Sequence, residues 1–577
     1  MGSMMTGLYV GLSGLQTSNN ALNTTANNLT NAQTQGYVRQ QVINRDMIYN
    51  FVNTSSGVNR GQSGLGVAVQ TINHVRDIFL DVAYRREAGR QNFYDKLYDS
   101  IYEIEVQMGM SKDGIDGIGF QSALTDLREA VNKLTEAPGE LEFRATLVQR
   151  AVEFVDKAQL VYSGLAKYQR TLDDEVVSTV NRINQIGDEI KDLNRRIARV
   201  EAPGVEVAAD LRDQRDLLLD ELATYCKISY KEETNGVVEV SVEGVPFADE
   251  YSVNYMGYEL IEGDNFAKPI WTQLANQPVY TLTADISTED NTDIGGLKGL
   301  LIARGELAPT AGNMTEPDPA NYPGGAADPE YIDMLAEYQR YERSYETSAI
   351  VNTMANFDKL FCSIVENLNN VFCPETTYTA ADGTAYTVLD TSIAPTSKDG
   401  VYGTELFTRN FTDRYKEQVI DGQTMYVRND RNTFGNLAEY SVMNVTVNSV
   451  IRKDYSQMAL TRADGADDYK TAAELLAVFS KDTLTYNGGL DGLTFEEFFS
   501  TMTADSATTG KIYKSMANNE AQLAAGLDNR RQEIMGVSSD EELGNMIKYQ
   551  QAYNAASRYI NVVSEMIETL IHNTGVR

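Results

Sequence analysis

Two narrow apolar stripes, one at each end of the chain, constrain the fold more than anything between them. Leu8, Leu12, Leu15, Asn19, Leu22, Ala26 and Leu29 recur at alternating spacings of four and three, as do Met546, Tyr549, Tyr553, Ala556, Ile560, Val563, Ile567 and Leu570. Each set is the a/d row of a coiled-coil helix. The first helix is weak alone. Gly11 and Gly14 each cost about 1 kcal/mol relative to Ala. Six asparagines between positions 19 and 31 compete for the helix backbone. Such a helix forms only when a partner covers its stripe. Ser539 and Glu542 have the spacing of a capping box at the start of the last helix, and Gly575 is placed to stop it. Neither terminal segment is read as having a second apolar face. Pairing the two ends buries both seams, although two helices docked on separate cores fit the same periodicity. If they pair, both termini lie at one pole and the domains between are discontinuous.

The interior alternates helix and strand. Residues 77–108 and 121–134 read as helices, and Pro138–Gly139 breaks the second. From Leu172 a heptad runs through Val176, Thr179, Ile183, Ile186, Ile190, Leu193, Ile197 and Val200, a rod of about 43 Å. Ala202–Pro203–Gly204 ends it, and helix resumes over 209–226. The period then becomes two near 228–245, with turns at Asn235–Gly236 and Glu243–Gly244. Residues 309–329 read as a loop or hinge, 330–370 as one helix, and 373–445 as a small β insert on the outer surface. Helix returns from about Phe495 to the end. The fold class is α+β, an elongated multidomain chain. The divisions are 1–40 with 537–577 as a terminal coiled-coil domain, 41–306 with 446–536 as a helical rod domain, 307–372 as hinge loop plus helix, and 373–445 as a variable β-rich insert.

Composition excludes several functions. A chain of 577 residues exceeds one compact core, so roughly three or four domains are expected. The formal net charge of −33 argues against nucleic acid and anionic membranes. No apolar run reaches membrane-spanning length. The N-terminus MGSMMTGLYVGLSGLQ lacks the basic and uninterrupted apolar regions of a cleaved secretory signal. The natural start is read at Met4 or Met5. The chain either stays in the cytoplasm or leaves by a route that reads an uncleaved end. His74 and His572 stand 498 residues apart, and Cys226, Cys362 and Cys373 have no CxxC spacing, so no metal site is expected. There is no GxSxG, Walker loop or GxGxxG, and DGIDG at 113–117 reads as a turn. No cofactor and no catalytic residue is assigned. The 33 tyrosines suit either cores or subunit contacts.

Residues 21–40, ALNTTANNLTNAQTQGYVRQ, resemble the N-terminal signature of the flagellar rod, hook and hook-associated axial proteins, an Asn-rich helix end followed by a Thr-x-Gly-Tyr turn. Asn28, Thr34, Gly36 and Tyr37 stand at its positions. Residues 538–571, SSDEELGNMIKYQQAYNAASRYINVVSEMIETLI, resemble the family's C-terminal signature. The helical middle over 120–200, DLRDQRDLLLDELATYCKISY at 210–230 and GGLKGLLIARGE at 295–306 are similar to the hook-associated members. The three cysteines depart from the family's usual pattern. The resemblance implies a non-enzymatic structural subunit at the hook–filament junction, secreted through the flagellar type III channel and extracellular in the flagellum. Implied partners are further copies in a ring, hook protein, the third hook-associated protein and a cytoplasmic export chaperone. The alternatives are a hook or distal rod protein, a secreted protein with flagellar-like ends and a functional insert, and a cytoplasmic coiled-coil scaffold.

Overall fold

The computed structural model describes residues 2–47, 50–51, 62–109, 119–202, 207–261, 263–282, 286–431, 438–462, 464–489 and 492–574. Helix α1 (Gly2–Thr30) leads into strands β1 (Gln40–Asp46), β2 (Asn50–Phe51), β3 (Gln62–Ser63) and β4 (Val67–His74), where β1 pairs antiparallel with β4 and β2 with β3. Asp77 then caps α2 (Ile78–Gln107) by accepting from the amides of Phe79 and Leu80. Three more helices follow: α3 (Phe120–Glu136), α4 (Leu141–Glu201) and α5 (Ala209–Tyr225).

Two antiparallel sheets come next. The first holds β5 (Ile228–Glu232), β6 (Val238–Val242) and β7 (Val245–Ala248), the second β8 (Met256–Leu260), β9 (Ala267–Trp271) and β10 (Gln277–Pro278). Glu243 and Gly244, with φ of 50° and 80°, form the two-residue turn whose twist suits a hairpin. Helix α6 (Gly296–Arg304) precedes a stretch of single 3-10 turns, then α7 (Pro329–Tyr345) and α8 (Ala349–Phe372).

The insert holds β11 (Glu375–Thr379), β12 (Ala385–Leu389), β13 (Phe407–Arg409), β14 (Tyr415–Ile420), β15 (Gln423–Arg428) and β16 (Val445–Val447). Its four-stranded sheet runs β11-β12-β15-β14, and β13 pairs separately with β16. The chain closes with α9 (Ser449–Lys453), α10 (Tyr469–Val478), α11 (Phe495–Met535) and α12 (Ser539–Thr574).

Helix α4 organises the middle. Its 61 residues extend about 90 Å, twice the rod read from position 172. The stripe continues upstream through Leu147, Ala151, Phe154, Ala158, Val161 and Leu165, all fully buried. This N-terminal half lies in one core with α3, α8, α10 and the start of α11, where Phe120 packs against Phe154, Phe357 and Phe499 at centroid distances of 5.4, 4.7 and 5.3 Å. The C-terminal half, with Val176, Ile183, Ile186 and Ile190, lies in a second core with α2, α5, α6, Phe247 and Trp271. An accessible surface of 30382 Å² for 64.0 kDa exceeds by half the roughly 20,000 Å² of a compact monomer. The molecule is elongated.

Three sequence expectations change. The insert does not merely decorate the surface, because Phe407, Tyr440, Val442 and Val445 are buried in the first core. The amide side chain of Asn369 on α8 brackets the strand there, donating to the Phe407 carbonyl at 2.8 Å and accepting from the amides of Leu406 and Phe407 at 3.0 Å. The single helix expected over 330–370 breaks between Tyr345 and Ala349, where Ser348 caps α8 by accepting from the Val351 amide. The start of α12 is capped by Ser538, whose hydroxyl accepts from the Glu541 amide, and Glu542 is engaged elsewhere. The DGIDG turn, Pro203–Gly204 and Gly575 lie outside the described residues.

Candidate assembly interface

Helices α1 and α12 pack side by side and antiparallel. Gly7 faces Tyr559 and Val563, Gly11 faces Ile560, and Gly14 faces Ala556. A Cβ on Gly11 would stand 2.6 Å from the Ile560 side chain, so the glycine sets how closely the helices approach. The buried row of α1 is therefore small and polar: Gly11, Ser18, Ala21, Thr25 and Asn28. Two of its buried hydroxyls are satisfied within the helix, Ser18 on the Gly14 carbonyl at 2.8 Å and Thr24 on that of Asn20 at 3.1 Å, so the burial of these two leaves no orphaned donor.

The leucine row read from the sequence is rotated away from this contact. Leu8, Leu15, Leu22 and Leu29 are half-buried, and Leu12 and Ala26 are exposed. On α12, Val563 is buried, Met546, Tyr549, Tyr553, Ala556, Ile560 and Ile567 are half-buried, and Leu570 is exposed. The α12 helix does carry a second apolar face, with Ile547, Tyr559, Val562, Met566 and Ile571 exposed. At the far end of the pair Met5 and Tyr9 are exposed as well. From Gly2 to Val38 the sequence holds no Asp, Glu, Lys or Arg. An uncharged helix whose leucine row is only half covered is poorly suited to bulk water.

The signature turn is the joint between this pair and the body. Asn28 Oδ1 accepts from the Tyr37 hydroxyl at 2.9 Å and the Gln40 amide at 3.0 Å, while its Nδ2 donates to the Gln40 carbonyl at 2.9 Å. Burial, with the carboxylates of Asp210, Asp213 and Glu542 nearby, pushes the Tyr37 phenol up to about 12, so it stays a donor. Thr34 closes the turn, accepting at its carbonyl from the Tyr37 amide at 3.2 Å. Gly36 has φ of +77°, and a Cβ there would meet Leu217 of α5 at 2.5 Å. No other residue suits both conditions.

Beyond the turn, the Val38 amide donates to Asp213 on α5 at 3.1 Å, and Asp213 also pairs with His74 at 3.1 Å. The Arg39 amide donates to the last carbonyl of α11, at Met535, at 2.9 Å. Its guanidinium clamps Glu541 and Glu542 in the first turn of α12, each at 2.8 Å. Two adjacent residues thus tie α5, α11 and α12 to the end of α1. Below them Arg531 of α11 reaches Asp81 of α2 and Asp220 of α5 at 2.8 Å. Arg85 reaches Asp220 at 2.6 Å, and Arg76 bridges Asp81 and Asp216. The sequence reading missed this clasp and Arg39, because partners 502 and 311 positions apart share no local pattern.

Among the described residues no group of three or more His, Cys, Asp or Glu could hold a metal ion. Cys226 and Cys373 are buried free thiols and Cys362 is partly buried. No described helix is long and apolar enough to cross a membrane.

Comparisons with known proteins agree in order along the chain. Residues 8–37 match the family described as flagella basal body rod protein, residues 110–316 the flagellar hook-associated protein FlgK helical domain, and residues 529–573 the flagellar basal body rod FlgEFG protein C-terminal. Flagellar hook-associated protein 1 of Bacillus subtilis (strain 168) is 24% identical over 588 residues, spanning 100% of this chain and 99% of the relative. The protein of the same name in Salmonella typhimurium is 22% identical, spanning 97% and 98%. A solved flagellar hook junction protein FlgK from Burkholderia pseudomallei superposes with a TM-score of 0.48 at 12% identity, over 80% of this chain and 100% of that one. With rod-type segments at both ends, a hook-associated helical domain between them and relatives aligned along its whole length, this chain is similar from end to end to flagellar hook-associated protein 1.

Proposed function

We propose that this protein is a structural subunit of the bacterial flagellum that forms the junction between hook and filament. It leaves the cell through the flagellar type III route and assembles at the distal end of the hook. The observation that carries this reading is the α1–α12 pair, which leaves apolar rows uncovered on both helices. Neighbouring subunits in a ring would cover them, and burying each Leu or Ile side chain contributes about 1.5–3 kcal/mol.

The seam residues named from the sequence are proposed as the contact set, with Leu8, Leu12, Leu15, Leu22 and Leu29 facing neighbours and Ile560 and Val563 facing α1. Residues 1–40 with 537–577 form the axial domain, and the body and the 373–445 insert lie outside it. Partners are further copies of the chain, hook protein below, the third hook-associated protein above and a cytoplasmic export chaperone for the C-terminal helix. Immunogold labelling of whole cells tests the reading. Label belongs at the distal end of the hook, and cells without the protein shed filament subunits into the medium. Label along the filament or at the cell body would overturn it.

A further inference from the structure

We propose that Glu87 of α2 and Glu520 of α11 share one proton across the contact between the two helices, and that this proton is the catch that fastens α11 to α2. The helices run antiparallel. Arg531 meets Asp81 at 2.8 Å, the Lys514 ammonium donates to the Tyr98 hydroxyl at 3.0 Å, and the Tyr94 and Tyr513 rings lie 6.3 Å apart. About two turns from that ring contact, back along α2 and forward along α11, stand Glu87 and Glu520. Ala517 and Ala524, buried on α11 about a turn to either side of Glu520, let the helices approach closely.

The charges around the pair balance before Glu520 is counted. Glu87 is 5% exposed and meets two cations: its Oε1 accepts from Arg86 Nε at 2.8 Å and its Oε2 from Arg90 Nη1 at 3.0 Å. Asp293, fully buried just before α6, accepts from Arg90 Nε at 3.1 Å and from the Tyr94 and Thr288 hydroxyls at 3.1 and 2.9 Å. The third nitrogen of Arg90 is taken by the Thr288 carbonyl and Asn291. Two guanidinium groups therefore answer two carboxylates. Glu520 is a third carboxyl group, and its Oε2 is buried without a hydrogen-bond partner. Ionised, it would face Glu87 and Asp293 with no cation left for it, and like charges in such a contact do not both stay ionised. Protonated, Glu520 becomes a donor, and the Glu87 carboxylate beside it is the acceptor. The electrostatics agree. Burial and then Glu87, with Asp293 adding to them, push the Glu520 carboxyl above its usual range against the pull of Arg90. For Glu87, burial is outweighed by Arg86 and Arg90, which hold it below its usual range. Tyr94 also faces Glu520, and burial pushes its phenol up to about 12, so it stays neutral. The folded chain thus carries a proton that the unfolded chain releases. The catch is complete below the unfolded value of about 4.3 and is lost as pH rises through the higher folded one.

The test is amide hydrogen exchange of the full-length chain, read in residues 517–524 from mildly acid to mildly alkaline pH. Wild type is divided by Glu520→Gln, which keeps a donor and cannot ionise, so the direct effect of pH on exchange cancels. The ratio should be level at acid pH and then rise by up to about tenfold per pH unit. Glu87→Gln removes the like charge and should move the onset of the rise down toward about pH 4.3. If Glu520→Gln does not fold, wild type is compared with Glu87→Gln directly, and the same shift of onset decides. A ratio that stays level or falls with pH, or an onset that Glu87→Gln leaves in place, overturns the inference.

Discussion

The guanidinium of Arg531 lies over the ring of Tyr84, 4.3 Å from its centroid, and reaches past it to Asp81 and Asp220 at 2.8 Å each. Arg531 is 5% and Asp81 2% exposed. Replacing Arg531 by Met keeps the packing and leaves two carboxylates short of a cation. The expected loss is about 3 kcal/mol in denaturant unfolding. Arg531→Lys should recover little of it, because an ammonium can neither fork between two carboxylates nor stack on the ring. A loss below about 1 kcal/mol would mean the clasp behaves as a surface ion pair.

The glycines of α1 give a graded test of helix pairing. A Cβ at Gly14 meets Ala556 at an ordinary 3.7 Å, whereas one at Gly11 meets Ile560 at 2.6 Å. Gly14→Ala should assemble normally and gain about 1 kcal/mol of helix propensity. Gly11→Val should overpack the contact and cut incorporation into sheared flagella about tenfold. Ile560→Asp should give the same defect, with the body still folded. Normal incorporation of Gly11→Val would show that α1 meets α12 by another face in the assembled state.

Asp358 predicts a pH dependence of the first core. Its two oxygens accept from the amides of Val442 at 2.6 Å and Ala311 at 2.7 Å. Burial nevertheless pushes the carboxyl up to about 6, with those amides acting against it. The unfolded value is about 3.9. The folded state therefore holds a proton that the unfolded state releases, and this group's contribution falls as pH rises from about 4 to about 6. Compared with Asp358→Asn, which does not titrate, the wild type should lose about 2 to 3 kcal/mol of relative stability across that window. A relative stability that climbs with pH would mean the two amides outweigh burial.

The insert divides into a load-carrying half and a free half. Phe407 is fully buried and Val419 is 69% exposed. Phe407→Ala should cost about 3 to 5 kcal/mol, and Val419→Asp should be silent within about 0.5 kcal/mol. Both are read from urea midpoints. Equal effects would place the insert outside the core after all.

The sequence made local matters legible and hid the distant ones. Asp77 marked the start of α2, Glu243–Gly244 marked a hairpin, and the boundaries of α5 and α11 fell within a residue or two of the turn residues. Helix α4 was read at half its length because Ala151, Ala158 and Gln169 dilute a stripe that the structure shows unbroken. The α1 contact was misplaced by one residue because leucines draw the eye, while the Gly11, Gly14, Ser18, Ala21 and Thr25 row has the same period and carries the approach. The signature residues Asn28, Gly36 and Tyr37 were visible as a pattern. Their roles as bracket, close contact and donor needed Gln40, Leu217 and the surrounding carboxylates in three dimensions.

A continuous α4 also has a mechanical consequence. Both cores are threaded on one helix of 61 residues with no loop between them. A force on the first core is carried along that strut to the second without a slack segment to absorb it. The body joins the terminal pair through two short passages, the turn around Gly36 and the link over 536–538. Under the torque of a rotating appendage, load passes between the body and the terminal pair at this neck, where Arg39 holds the first turn of α12 and Arg531 ties the end of α11 to α2 and α5.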